Sequence, residues 1–340
     1  MPLADWLDIE DRYDDTLLLG NGASIALDAC FSYRSLLENA RHEGLVTADL
    51  DTVFTHFSTT DFEHVMRMLW YSFNVNQALA IADLRTRDAY VALRRALIET
   101  VRRYHAPFAT IRHHLDPIQQ FMGRFDKVLS LNYDLTVYWA MMEGNEIRGG
   151  GWFKDCWVAG DAHFESDWEF LETPYGVAGA TLVFFPHGNL LFASHPQRGE
   201  IKISAGAAPS LLDRIVDEWE ETDALPMFVS EGESAQKENA IARHGYLGAV
   251  YNDVMTGIGP SVAIYGWGVG ENDEHILKRI AARRVNRIAV SVLRAGQTEH
   301  DIELHCQTIT LRVRRYNSQA AIEFFDAVSP GAWLHPRAVV

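Results

Sequence analysis

Cysteine is scarce: Cys30, Cys156 and Cys306 are the only three in 340 residues, and they lie far apart. An odd, scattered set excludes a disulfide framework and points to free thiols in a reducing compartment. With no CxxC pair in the chain, a thiolate zinc site is excluded too, and no metal is expected. Basic charge is also in short supply, 30 Lys and Arg against 46 Asp and Glu, for a formal charge of −16. Phosphate backbones attract basic surfaces, so nucleic acid is not an expected partner. A small anion stays compatible with that charge, because amides at a helix N-terminus bind phosphate without lysine. No stretch reaches the roughly 20 apolar residues of a membrane helix. The acidic opening MPLADWLDIEDRYDD lacks an apolar core of signal-peptide length. The expectation is a soluble, cytoplasmic protein without a membrane partner.

What is present is apolar bulk. Hydrophobic residues make up 48% of the chain, enough for one large core or two smaller ones. Short apolar runs at 16–19, 127–131, 181–186, 226–229, 261–265 and 287–293 read as buried strands. Most lack strict alternation, the mark of strands covered on both faces. Helical stretches lie between them, so the fold expected is α/β with a largely parallel sheet. CQTITLRVRRYN alternates Ile309, Leu311 and Val313 with polar neighbours and reads as a late, half-exposed edge strand. Over a hundred residues separate the first two runs, too many for one crossover. There, Leu93, Leu97, Val101 and Tyr104 recur at helical spacing. A helical insertion is expected across 40–120, and an irregular Gly- and Trp-rich one across 143–175.

Four places have the residue types for chemistry. In TLLLGNGASIALDA, Gly20 and Gly22 allow a tight turn and close approach to a ligand, and Ser24 adds a hydroxyl as a helix begins. Neither familiar phosphate loop fits: Ile25 stands where the dinucleotide fingerprint needs glycine, and no GK[ST] follows. A tight turn with no ligand explains the same residues. In KVLSLNYDLTVYWAMM, Asn132, Tyr133 and Asp134 follow an apolar run, where ligands of open α/β sheets collect. Asn and Asp are also favoured helix caps. In TLVFFPHGNLLF, His187 directly follows a strand and precedes Gly188, which singles it out among 14 histidines as a candidate base. A structural histidine at a hairpin turn is the alternative. In PSVAIYGWGVGENDEHILKRI, a strand runs into Gly266, and Asp273 stands where a helix opens, as ligand contact or as cap.

In this order the four places resemble the sirtuin family of NAD-consuming enzymes. Gly20-Asn21-Gly22-Ala23-Ser24 resembles its opening loop, and CFSYRSLL the aromatic-arginine segment after it. Asn132-Tyr133-Asp134 resembles the Asn-x-Asp motif, His187-Gly188 the catalytic His-Gly, and Gly266 onward the later glycine motif. The match is closer to a bacterial sirtuin-like group without the zinc module, in which MFVSEGESAQKENAIARHGYL and YGWGVGENDEHI resemble recurrent blocks. The chain departs from the deacylases at Asn21, usually alanine, at Leu131, commonly glutamine, and in lacking the four-cysteine zinc module.

The resemblance implies a single Rossmann-like domain over 1–340, helices on both sheet faces, and NAD as substrate. It implies NAD glycohydrolysis, with His187 as base and Asn132 orienting ribose or water. Ser24 and Asp134 would line the nicotinamide pocket. Gly20, Asn21 and Gly22 would lie at the pyrophosphate, with the amides of Gly20 and Gly22 meeting it. Gly188 would sit at the substrate, and Gly266 and Asp273 toward the adenosine half. Related sirtuin-like domains are NAD-degrading anti-phage effectors, which implies a homo-oligomer or a regulatory partner protein as the gate. An NAD or ADP-ribose sensor without turnover, and a deacylase or ADP-ribosyltransferase, remain as alternatives.

Overall fold

A computed structural model describes residues 3–32, 36–158, 163–195, 198–204, 210–222, 224–229, 232–282 and 284–337. Among these residues the strands are β1 (Thr16–Leu19), β2 (Lys127–Ser130), β3 (Phe153–Lys154), β4 (Thr181–Phe184), β5 (Gly188–His195), β6 (Gly199–Lys202), β7 (Leu225–Phe228), β8 (Ser261–Tyr265), β9 (Arg287–Val292) and β10 (Ala321–Asp326). Seven of them form a parallel sheet in the order β10-β9-β8-β1-β2-β4-β3. Every residue of β1, β2, β4 and β8 is buried, as strands covered on both faces require. The fold is α/β and Rossmann-like. From β1 the chain moves outward through β2 toward β4 and β3, then returns to β8 on the other side of β1. The winding therefore reverses between β1 and β8, the switch point where such sheets hold ligands.

A separate antiparallel sheet, β6-β5-β7, was not expected from the sequence, and the 226–229 run falls in it as β7 rather than in the main sheet. Between β1 and β2 lie the helices Leu36–His42, Ala48–His56, Phe62–Ala78, Arg85–Tyr104 and Leu115–Met122. Thr47 and Asp61 cap two of them by accepting from the amides of Leu50 and His64. The Arg85–Tyr104 helix buries Leu93, Leu97 and Val101 on one face, while Tyr104 stays half-buried and its hydroxyl bonds Glu43. Within 143–175 the Thr136–Arg148 helix ends and β3 joins the edge of the main sheet. Among the described residues no helix is long and apolar enough to cross a membrane.

One expectation is overturned outright. CQTITLRVRRYN is no edge strand; it lies in the Glu299–Tyr316 helix, and the edge strand on that side is β10. The helix begins in a reciprocal cap between Thr298 and Asp301, and buries Ile302, Cys306, Ile309 and Val313 at helical spacing. Leu311, which made the alternation look like a strand, is 72% exposed. Tyr33, Arg34 and Ser35 of the CFSYRSLL segment lie outside the described residues, as do 159–162 of the 143–175 segment.

Candidate active site

Because the sheet is parallel, all four motifs emerge at one edge. Leu19 is level with Ser130 of β2 and Tyr265 of β8, so Gly20, Leu131 and Gly266 leave the sheet side by side. β4 ends one strand further out, and His187 follows three residues later.

Ser24, Asn132 and Asp134 form one buried hydrogen-bonded unit. The Asn132 amide donates to the Gly20 carbonyl at 3.0 Å and to Ser24 Oγ at 2.9 Å. Ser24 in turn donates to Asp134 Oδ2 at 2.6 Å. Asp134 Oδ1 accepts the Thr136 amide at 2.8 Å, so this carboxylate both closes the turn into the next helix and belongs to the network. Asn132 caps nothing; its amide fastens the β2 exit to the β1 exit. Two residues that sequence reasoning missed fix the loop's backbone. His105 points Nδ1 at the Ala106 carbonyl, which makes Nδ1 the donor and leaves Nε2 to accept the Leu135 amide at 3.1 Å. Burial holds His105 below its usual pKa, so the ring is neutral as this pairing needs. Asn189 donates to the Asp134 carbonyl at 2.7 Å, and the Leu190 amide to that of Tyr133 at 2.9 Å. His187 is two residues from Asn189 in the chain, so the His187 turn and the Asn-x-Asp loop are tied through the Asn189 amide.

The glycines have a different explanation from the one the sequence invites. The amides of Gly20 and Gly22 donate to the carbonyls of Tyr265 and Gly266 at 3.0 and 2.8 Å. They are therefore bonded within the protein, not the free pyrophosphate donors expected. A Cβ on Gly20 would lie 2.5 Å from Trp267 Cβ, and one on Gly22 would lie 2.8 Å from the Gly266 oxygen. The bare glycines let the β1 and β8 exits touch across the switch point. Gly188 is likewise explained by packing: its φ is +74° and a Cβ would meet the Met227 oxygen at 2.2 Å. Asn21 is exposed, and its side chain donates to the Phe31 carbonyl at 3.4 Å.

His187 is buried, with Nε2 3.0 Å from Nε2 of His275 and 4.0 Å from Asp273 Oδ1. β1 and β2 lie between β4 and β8, so this contact joins segments that follow strands not adjacent in the sheet. Asp273 is no side-chain cap: Lys237 donates to its Oδ1 at 2.7 Å and the Trp267 indole to its Oδ2 at 3.2 Å. Ser234 Oγ accepts the His275 amide at 2.9 Å and lies 3.1 Å from His275 Nδ1. Burial, with Lys237 adding to it, pushes His187 down to about 3, and burial pushes His275 down to about 4. Burial opposes ionisation of Asp273, but His187 and Lys237 outweigh it and hold the carboxyl below its usual range. Lys237, His275 and Ser234 were not singled out from sequence, although the two resembled blocks contain all three.

The block ending in His244-Gly245-Tyr246 holds the His187 turn from behind. The buried Tyr246 hydroxyl accepts the Phe185 amide at 3.0 Å, two residues before His187. Glu200 anchors that segment by accepting the amides of Gly245 and Tyr246 at 2.7 and 2.8 Å. Tyr246→Phe leaves the Phe185 amide unpaired in the interior and is expected to cost about 1–3 kcal/mol in denaturant unfolding. An unchanged midpoint would show that the bond carries no stability. For Glu200, burial raises the carboxyl, but His244 and the two amides outweigh it and hold it below its usual range. A depressed folded value contributes stability above the unfolded carboxylate pKa of about 4.3 and loses it as pH falls through the folded value. Glu200→Gln is therefore expected to unfold earlier at pH 7 and to lose less on acidification than wild type, read as Tm against pH.

Two further features bear on ligands. Nitrogens of His187 and His275 and an oxygen of Asp273 lie within 4.8 Å of one another, a two-histidine, one-carboxylate set that suits a transition metal. The Lys237 ammonium, bonded to that same Asp273 oxygen, already supplies a cation there. An open cleft of about 520 Å³ runs between Phe54, Thr59 and Thr60 on one wall and Glu233, Gln236 and Asn272 on the other. The latter three are chain neighbours of Ser234, Lys237 and Asp273. A second cavity, of about 310 Å³, lies near β3 between Tyr138, Trp157 and Lys202.

No curated protein matches this sequence. Residues 17–333, from β1 to beyond β10, match the family described as Domain of unknown function (DUF4917). The match takes in all the strands and every candidate residue named above, so the chain belongs to the DUF4917 family.

Proposed function

We propose that the protein hydrolyses NAD to nicotinamide and ADP-ribose. The observation that carries this reading is the meeting of Ser24, Asn132 and Asp134 with the His187 turn at the exits of β1, β2 and β4, beside the switch point. The sirtuin-like order of these motifs supports it. In the reaction, the bond between ribose C1′ and the pyridinium nitrogen breaks, and its electron pair leaves with neutral nicotinamide. Water bonds to C1′ and gives up a proton. No general acid is needed for the leaving group, so the protein's tasks are to hold the dinucleotide, shelter an oxocarbenium-like ribose and place one water. His187, neutral at pH 7, takes the water's proton. Asn132 orients the ribose or the water through its amide, in competition with Ser24. Asp134 holds Ser24 and, with it, lines the nicotinamide pocket. Gly20, Gly22 and Gly266 set the approach of the two loops that the dinucleotide crosses, and the cleft walled by Asn272 is its entrance.

The sensor reading draws on one specific observation: Ser24, Asn132 and Asp134 satisfy one another, and a network closed in this way suits tight binding as well as turnover. The missing four-cysteine zinc module counts against the deacylase reading. As an anti-phage effector the enzyme would need a gate. Exposed Tyr71, Val75 and Leu79, on one side of the Phe62–Ala78 helix and its end, with Ile81 and Leu84 beyond, suit a homo-oligomer contact. The test is to incubate purified protein with NAD, at dilute and high protein concentration, and follow free nicotinamide and ADP-ribose. Equal amounts of both products support hydrolysis. Saturable NAD binding with no nicotinamide favours the sensor, and nicotinamide without free ADP-ribose favours transfer.

A further inference from the structure

The pair formed by His187 and His275 has an unusual requirement. Two Nε2 atoms 3.0 Å apart need one proton between them, so one ring donates and the other accepts. His275 Nδ1 lies 3.1 Å from Ser234 Oγ, which already accepts the His275 amide. Ser234 is half-buried, and its chain neighbours Glu233 and Gln236 line the open cleft. We propose that Ser234, His275 and His187 form a proton relay, in which His275 is a positioning residue that fixes the His187 tautomer and passes its proton outward. The proposal rests on the NAD-hydrolysis reading of this site.

The step balances as follows. His187 has Nε2 committed to His275, so Nδ1 faces the substrate and takes the proton of the attacking water. The proton on His187 Nε2 then moves to His275 Nε2, and His187 is neutral again. His275 passes its Nδ1 proton to Ser234 Oγ, whose own proton goes to solvent. One proton enters and one leaves. The charged groups facing the pair are Lys237, Asp273, Glu238 and Lys278. A lone His187 cation would be unfavourable, buried and beside the Lys237 ammonium. Passing the proton on through His275, itself buried and held below its usual pKa, to Ser234 leaves no lasting cation on either ring.

His275→Gln keeps a hydrogen-bonding group against His187 but does not pass a proton. It is expected to lower kcat about 10²-fold with KM nearly unchanged. Ser234→Ala is expected to lower kcat about tenfold, equivalent to one lost hydrogen bond. Ring-nitrogen NMR of the full chain gives a readout that does not depend on turnover: both rings neutral at pH 7, and the His187 signals displaced by His275→Gln. A wild-type kcat in His275→Gln would overturn the relay, since a purely structural contact is preserved by glutamine. Undisplaced His187 signals, or a stoichiometric transition metal bound by the purified protein and lost in His187→Ala, would also overturn it. Failure of wild type to release nicotinamide would instead sink the hydrolysis reading, while the NMR result still decides whether the rings share a proton.

Discussion

Alanine at position 187 is expected to reduce nicotinamide release by about 10²–10⁴-fold, the usual contribution of a positioned general base. The effect should fall on kcat, because the imidazole acts on a proton that moves only as water attacks. Folding should survive. The substitution removes one bond to His275, while His275 keeps its contact with Ser234 and the turn keeps the bond from the Phe185 amide to Tyr246. A stability loss of about 1–3 kcal/mol is expected from the lost partner and the small cavity. A folded His187→Ala protein that still releases nicotinamide at the wild-type rate would remove the histidine from the mechanism. Asn132→Ala is expected to abolish NAD loss too, with a larger structural effect, because its amide also fastens the Gly20 carbonyl.

Gly266→Ala is expected to be among the most damaging small substitutions in the protein. The residue has a φ of +69°, where an L side chain is strained, and a Cβ would lie 2.2 Å from the Ala23 nitrogen and 2.6 Å from the Gly22 carbon. Backbone atoms stand on the other side of the clash, so no side chain can swing away to relieve it. The β1 and β8 exits would have to part, breaking the Gly22–Gly266 hydrogen bond. A loss of about 4 kcal/mol or more, or roughly 10 °C in Tm, is expected. Gly268→Ala is the control, two residues on, where a Cβ would meet nothing within 4 Å; it should change stability by about 0.5 kcal/mol at most. Equal melting temperatures for the two variants would contradict the tight junction at the switch point.

The parallel sheet was legible because its central strands are short runs of mostly apolar residues without strict alternation, and their ends placed the four motifs on one edge without knowledge of tertiary contacts. The Glu299–Tyr316 helix was misread because Leu311 interrupts a helical pattern with a solvent-facing apolar residue. Ile302 and Cys306, together with the Thr298–Asp301 cap, would have decided it. The partners of His187 were less legible. His275 and Lys237 come from segments far along the chain, and no local periodicity says that they meet around His187 and Asp273. Asn189 was hidden by the attention that His187-Gly188 draws. The glycines show a limit of a different kind. A GxG after a strand looks the same whether it makes room for a phosphate or for another loop, and here Gly20 and Gly22 face Trp267 and Gly266.

The central claim is that the His187 imidazole and the Asn132 amide, from separate crossings of the chain, act on one sugar carbon. Its most direct test is the structure of the protein bound to an uncleavable NAD analogue whose nicotinamide ribose is carbocyclic. The account predicts the carbon equivalent to C1′ between His187 and Asn132, the nicotinamide against Ser24 and Asp134, and the remainder crossing the Gly20–Gly266 junction toward the cleft at Asn272. An analogue seated instead in the cavity near Tyr138 and Lys202, or with that carbon out of reach of both His187 and Asn132, would contradict it.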